Sequence, residues 1–232
     1  MGFIDFFVDK FQTTFIVNDR WLLFLDGFKV TIIMAVFATL LGVIIGTIVA
    51  IAKVYSFQTG KLKILDKILS VYLTVFRGTP IVVQLMIWYF IILTSVDNGV
   101  LVAIIAFGIN SGAYVAEIVR AGILAIDKGQ TEAGRSLGLS SGQTMKSIIL
   151  PQAFKNILPA LGNELIALLK ETSVVGYVAV VDLTKVGDLV RSRTMDAVFP
   201  LLAVALVYLL LVIGLTAIQK RIERRLRQGD RR

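Results

Sequence analysis

Long apolar runs set the pattern of this chain. Between Lys29 and Lys53 lie 23 uncharged positions, between Arg77 and Asp97 there are 19, between Asp97 and Glu117 another 19, and between Asp196 and Lys220 again 23. A helix that crosses the hydrocarbon of a bilayer needs roughly 20 consecutive, mostly apolar residues. The four runs therefore predict four membrane-spanning helices. A fifth span is predicted over 160–181, "ALGNELIALLKETSVVGYVAVV", which has the length but carries Glu164, Lys170 and Glu171. A charge at the centre of an inserted helix costs about 2.5–3.5 kcal/mol. These three side chains must then face protein or a wet cavity. Helical spacing puts Glu164 and Glu171 on one face and turns Lys170 about 100° away from Glu171.

Two segments depart from the apolar pattern. Near the start, Phe3, Phe7, Phe11 and Phe15 recur every four residues and mark one stripe of a helix. Asp5 and Asp9 stand where a signal peptide would be basic, and no small-residue cleavage site follows. Residues 1–20 are read as a lead-in on the outer surface, either lying in the interface or packed against neighbouring helices. The second departure is "TEAGRSLGLSSGQTMKSIILPQAF", residues 131–154. Asp127 with Gln130, and Ser140 with Gln143, have the spacing of an N-cap and its N3 partner. The first helix should run to about Leu137 and stop at a left-handed Gly138. The second should start after Ser140 and end before Pro151. Leu137, Leu139, Met145, Ile148 and Ile149 would be exposed on this helical hairpin, which can pack on its own membrane domain or dock a soluble partner.

Charge gives the orientation. Lys53, Lys61, Lys63 and Lys67 follow the first span, Arg120, Lys128, Arg135, Lys146 and Lys155 follow the third, and "KRIERRLRQGDRR" follows the last. Basic loops stay inside, so five spans place the N-terminus outside and the C-terminus in the cytoplasm. This reading also accounts for the net charge of +8 without nucleic acid. The hairpin, within 127–155, is then a cytoplasmic loop, and 220–232 a basic cytoplasmic tail. No internal repeat or low-complexity linker divides the chain, and 1–232 reads as a single all-α integral membrane domain. The chain has no Cys and no His, which excludes thiol or imidazole metal sites, Cys or Ser-His nucleophiles and disulfides. Gly60-Lys61 lacks the rest of a phosphate loop. No catalytic residue, metal site or cofactor is assigned to it.

Glu132-Ala133-Gly134, then Gly138, then Ile148, Leu150 and Pro151 reproduce the spacing E-A-A-x3-G-x9-I-x-L-P. This resembles the cytoplasmic "EAA" loop in membrane subunits of bacterial binding-protein-dependent ABC importers. One position departs, Gly134, where the family usually has alanine. The stretches "VFRGTPIVVQL", "SGAYVAEIVRAGI", "GQTEAGRSLGLS" and "LGNELIALLKETSV" resemble the polar amino-acid permeases of the histidine/glutamine/arginine type. The usual K-D-T-S is here Lys170-Glu171-Thr172-Ser173.

The resemblance implies a type I ABC importer-like membrane domain in the bacterial cytoplasmic membrane. It implies a pair of such subunits, read here as a homodimer, working with cytoplasmic ATPases that bind ATP and Mg, and with an extracellular or periplasmic amino-acid-binding protein. Glu132, Ala133, Gly134, Leu137, Gly138 and Leu139 would form the coupling element that sits in a groove of the ATPase. The chain itself would do no chemistry and would move its solute by alternating access. Glu164 is the candidate path-lining carboxylate, with Thr172 and Ser173 offering hydroxyls and Asn98 at the outer mouth. In a dimer two copies of Glu164 would face a shared region. Basic amino acids such as arginine, lysine or histidine are therefore expected, with glutamine or another neutral polar amino acid as the alternative. An ATP-independent channel or secondary transporter is the reading from a different class, and an intramembrane enzyme lacks the residues it would need. Glu117 and Arg120, three apart, should pair locally. Thr79-Pro80 should be the N-cap and first residue of a helix after a break at Arg77-Gly78.

Overall fold

The computed structural model describes residues 2–228; Met1 and the last four residues of the basic tail, 229–232, lie outside the described residues. Those described are helical apart from short connections. In chain order the helices are α1 (Phe3–Phe11), α2 (Arg20–Thr59), α3 (Lys63–Gly78), α4 (Ile81–Ile87), α5 (Gly99–Leu124), α6 (Lys128–Ser136), α7 (Ser141–Thr144), α8 (Leu150–Glu171), α9 (Leu183–Thr194) and α10 (Val198–Gln228). Three helical stretches are long and apolar enough to cross a membrane: Ile4–Thr59, Gly99–Leu124 and Val198–Leu226. The pair Lys63–Gly78 and Ile81–Ile92, broken at Thr79-Pro80, makes a fourth if taken as one span.

The fifth predicted span has a different form. Residues 160–181 do not build one helix. They contain the last turns of α8, a tight 3-10 stretch Thr172–Val178, and Ala179 in the left-handed region at φ 58°. Thr172 starts the change, because its Oγ1 donates to Leu169 O at 2.8 Å and draws the chain back on itself.

Two further boundaries moved. Pro80, not Thr79, caps α4, and Thr79 Oγ1 instead donates back to Val75 O at 2.8 Å. Pro151 does not end the second hairpin helix. The residues just before it, Met145–Ile149, form a wider π turn that runs directly into α8. A π turn is one way to carry a helix past a proline that offers no N–H.

The chain forms two compact units. The first comprises residues 1–38, 80–107 and 167–214. One core joins Met34 and Ala38 of α2, Leu85 of α4, Ala103, Ala106 and Phe107 of α5, and Val175 and Val178 of the 3-10 stretch. A second core gathers Phe24, Leu183, Val186, Val190 and Val204. The N-terminal lead-in belongs to this unit and is packed. Phe15 meets Phe24 at 5.2 Å, Phe7 meets Phe199 at 5.4 Å, and Lys10 Nζ pairs with Asp196 Oδ2 at 2.9 Å. Ile4 and Phe11 of α1 remain exposed, the apolar face that an interfacial position would bury in lipid.

The second unit comprises residues 39–79, 108–166 and from 215 onward. Its main core brings together Ala50 and Val54 of α2, Val115, Val119 and Ile123 of α5, and Ile149, Ala153 and Ile157 of the hairpin and α8. Here α2 and α5 approach closely through two glycine pairs, Gly42 with Gly46 and Gly108 with Gly112. A Cβ on Gly46 would lie 2.6 Å from Val115 Cβ, and one on Gly108 would lie 2.6 Å from Leu41 Cδ2. Small residues four apart permit this approach of membrane helices, which associate by contact and hydrogen bonding rather than by escape from water.

Candidate functional site

The hairpin is built by its caps. Asp127 Oδ1 accepts from Gly129 N at 2.6 Å and opens α6. At the other end, Gly138 N donates to Arg135 O at 3.0 Å and Leu139 N donates to Gly134 O at 3.1 Å. This is the pair of bonds of a Schellman cap, with Gly138 at φ 82° as its left-handed residue. Arg135 Nη1 adds a bond to Leu139 O at 3.0 Å. Ser140 and Gln143 then form a reciprocal capping box, with Ser140 N to Gln143 Oε1 at 2.8 Å and Gln143 N to Ser140 Oγ at 3.3 Å.

The coupling candidates divide between two directions. Glu132, Ala133, Leu137 and Gly138 are exposed, Leu137 at 81%. Leu139 is half-buried and Gly134 is buried. A methyl group on Gly134 would stand 2.7 Å from Thr144 Cγ2 and 3.0 Å from Ile148 Cδ1. The glycine that departs from the family's usual alanine is thus what lets α6 lie on the second hairpin helix. The expected exposure farther along does not hold. Ile149 is buried, and Met145 and Ile148 pack against the core of α2, α5 and α8. The hairpin uses those apolar residues to seat itself on its own helices, and leaves the turn at Leu137-Gly138 outermost.

Among the substrate candidates, Glu164 stands in the second unit and Thr172, Ser173 and Asn98 in the first. Glu164 is half-buried, and its Oε1 accepts from Ser111 Oγ of α5 at 2.7 Å. Gly42 of α2 clears the space for Ser111, because a Cβ there would lie 2.8 Å from Ser111 Oγ. Thr172 is 0% exposed, and its hydroxyl donates to Leu169 O. It is therefore no open hydroxyl for a solute but a backbone tie. Ser173 is half-buried within the same 3-10 stretch. Asn98 is exposed and caps α5, its Oδ1 accepting from Leu101 N at 3.1 Å, and it lines a pocket of ≈ 390 Å³ together with Tyr89, Asp97 and Val178.

Ser111 is the partner that sequence reasoning missed. The available signal was the spacing of Gly42 with Gly46 and of Gly108 with Gly112, which marks the close helix pair around it. Arg77 meets other groups. Its Nη1 lies 4.0 Å from Glu117 Oε1, and its guanidinium lies 5.6 Å from the centre of the Tyr114 ring. Glu117 and Arg120 form the expected local pair, Nη2 to Oε2 at 2.6 Å.

The chain is similar to known proteins along most of its length. The family described as binding-protein-dependent transport system inner membrane component matches residues 42–228. The arginine transport system permease protein ArtQ of Bacillus subtilis (strain 168) is 40% identical over 210 residues, covering 89% of this chain and 93% of that protein. The glutamine transport system permease protein GlnP of Escherichia coli (strain K12) is 36% identical over 209 residues, covering 88% and 93%. A crystal structure of an amino acid ABC transporter with histidines superposes with a TM-score of 0.83 at 37% identity, covering 90% of this chain and 96% of the other. The fold is shared more distantly with the inward-facing MetNI methionine ABC transporter, TM-score 0.76 at 23% identity, covering 88% and 96%. The family match over residues 42–228 includes the capped hairpin, and the chain belongs to the family of binding-protein-dependent transport system inner membrane components.

Proposed function

We propose that this chain is the permease subunit of an ATP-driven ABC importer that carries polar amino acids, with the basic ones arginine, lysine and histidine ahead of glutamine. It is a transport subunit and not an enzyme. Hydrolysis of ATP belongs to a separate subunit, which would hold the ATP and Mg, and a binding protein delivers the solute. The exposed turn carrying Glu132, Ala133, Leu137 and Gly138 is the surface we assign to that ATPase, and a second copy of the chain would complete the pathway.

The observation that carries the choice of solute is Glu164. It is a half-buried carboxylate within a helical membrane domain, and its hydrogen-bond partner is the neutral hydroxyl of Ser111. A half-buried carboxylate that meets a neutral donor rather than a cation among the described residues is costly, and a cationic solute relieves that cost on binding while an acidic one adds to it. The relatives carry both substrate classes in their names, arginine in one and glutamine in another. Glutamine is thus the second reading, in which the side-chain amide donates to Glu164 in place of a cation.

The test is uptake and ATPase stimulation by each amino acid in the reconstituted complex, for the wild type and Glu164→Gln. We expect arginine to stimulate most and glutamate least. In Glu164→Gln the apparent affinity for arginine should fall about tenfold, the size of a lost charge-assisted hydrogen bond. Glutamate stimulating as well as arginine would remove the basic preference. An unchanged preference and affinity in the variant would remove Glu164 from the site.

A further inference from the structure

Helix α1 lies ahead of residue 42, where the family pattern begins, so its role has to come from its own residues. Its side chains divide among three faces. Ile4, Phe7, Val8 and Phe11, at i, i+3, i+4 and i+7, share one face, and all four are exposed, Ile4 at 75%. Asp5 and Asp9, four apart, share a second face and are also exposed. Phe6 and Lys10, four apart, share the third, which meets protein. Lys10 Nζ pairs with Asp196 Oδ2 at 2.9 Å, and the Phe6 ring lies 6.3 Å from that of Phe199.

The third face fixes the rotation of the helix. Asp196 stands at the corner between α9 and α10, where its Oδ1 accepts from Val198 N at 2.9 Å, next to Met195 in the left-handed region at φ 53°. With Lys10 and Phe6 held to this corner, the apolar face of α1 stays turned outward. It walls a groove of ≈ 430 Å³, lined by Phe7, Val8, Phe11, Gln12, Ile16 and, from α10, Phe199. Phe199 begins a stripe that continues through Leu202, Leu206, Leu209 and Ile213, at helical intervals of three and four. The last four of these are exposed. The groove is therefore the end of an apolar track that runs ~21 Å along α10, on a helix long and apolar enough to cross the membrane. An exposed apolar track of this kind marks a surface for lipid. The charges of the second face are both acidic, so the pull toward the bilayer is apolar and owes nothing to anionic head groups.

We infer that α1 lies in the membrane surface and that its groove, floored by Phe199, seats one acyl chain of a phospholipid. The upper part of the chain, next to the glycerol, lies between α1 and Phe199, and the lower part follows the stripe of α10. Asp5 and Asp9 point to water. The seated chain braces α1 against the α9–α10 corner from the membrane side, as the pair of Lys10 and Asp196 does from the protein side.

The experiment is fluorescence quenching by phosphatidylcholine that carries a nitroxide on the upper part of one acyl chain, in vesicles holding the full permease–ATPase complex. The permease has no cysteine, so Val8→Cys, Asp5→Cys and Leu25→Cys each accept one fluorophore. Leu25, exposed on α2, is the reference for ordinary contact with surrounding lipid. Quenching is taken relative to the same variant in unlabelled phosphatidylcholine. The probe at Val8 should be strongly quenched and the probe at Asp5 scarcely. Ile16→Trp, which fills the groove from an exposed position, should remove most of the quenching at Val8 and leave that at Leu25 as it was. Replacing part of the unlabelled lipid by phosphatidylglycerol should change neither. Quenching at Val8 no stronger than at Asp5 overturns the inference, because that face is then covered by protein, a second copy or another partner. Val8 quenched equally with and without Ile16→Trp, or Val8 and Leu25 losing quenching together, overturns the seat and leaves only surrounding lipid. Quenching at Val8 that depends on phosphatidylglycerol overturns the choice of an apolar chain as what is recognised.

Discussion

Gly134 shows how much a single hydrogen atom decides. Replacing it by alanine improves helix propensity by up to ~1 kcal/mol. The added methyl would stand 2.7 Å from Thr144 Cγ2, and Thr144 cannot rotate away without losing the bond from its Oγ1 to Ser140 O at 3.0 Å. Overpacking of this kind costs about 1–3 kcal/mol, so the clash exceeds the gain. We expect Gly134→Ala to loosen the hairpin by about 1 kcal/mol, or about fivefold in local opening, read by hydrogen exchange over residues 141–149. Unchanged or slower exchange there would mean that the space behind Gly134 is not what fixes it. Gly42 makes the same kind of room for Ser111 and so, indirectly, for Glu164.

Among the elements, the hairpin has two faces with different tasks. Its inner face, through Ile148, Ile149 and Met145, is sealed onto α2, α5 and α8. Its outer turn is capped but uncovered, and a Cβ at Gly138 would meet nothing within 4 Å. Space therefore does not require glycine at this position; its φ of 82° does. A β-branched side chain resists that conformation, at roughly 1–3 kcal/mol. Gly138→Val should relax the turn and abolish ATP-coupled uptake while the permease still inserts and accumulates in the membrane. Wild-type coupled uptake by this variant would show that the turn does not couple transport to the ATPase. The π turn Met145–Ile149 adds a second device, since it carries the hairpin past Pro151 into α8 without a break.

For the whole molecule, the number of crossings fixes the sides of its ends. Four spans, counting the pair broken at Thr79-Pro80 as one, put both termini on the same side, and a fifth crossing near 160–181 puts them on opposite sides. The basic residues around 53–67 and in the tail belong inside by the positive-inside rule. We expect an N-terminal tag to be labelled only from outside and protease to clip the 53–67 loop or the tail only from the cytoplasm. Both termini reached from one side would mean that α8 and the 3-10 stretch after it do not cross. The charges of that segment explain why hydropathy alone leaves it in question: Glu164, Lys170 and Glu171 lower its apolar content at the same time as Glu164 acquires a partner inside the protein.

The amino-acid order by itself determined the all-helical membrane class, the four long apolar runs, the break near Gly78, the capping box at Ser140 and the left-handed stop at Gly138. Each depends on residues a few positions apart, where hydropathy, cap hydrogen bonds and backbone sterics act locally. Only the tertiary structure decided that Ser111 holds Glu164 across 53 positions of sequence, that Arg77 stands beside Glu117, that Thr172 turns its hydroxyl to the backbone, and that Ile148 and Ile149 face inward. These depend on which helix faces meet, and the glycines of α2 and α5 set that meeting by permitting a backbone approach that no single helix specifies.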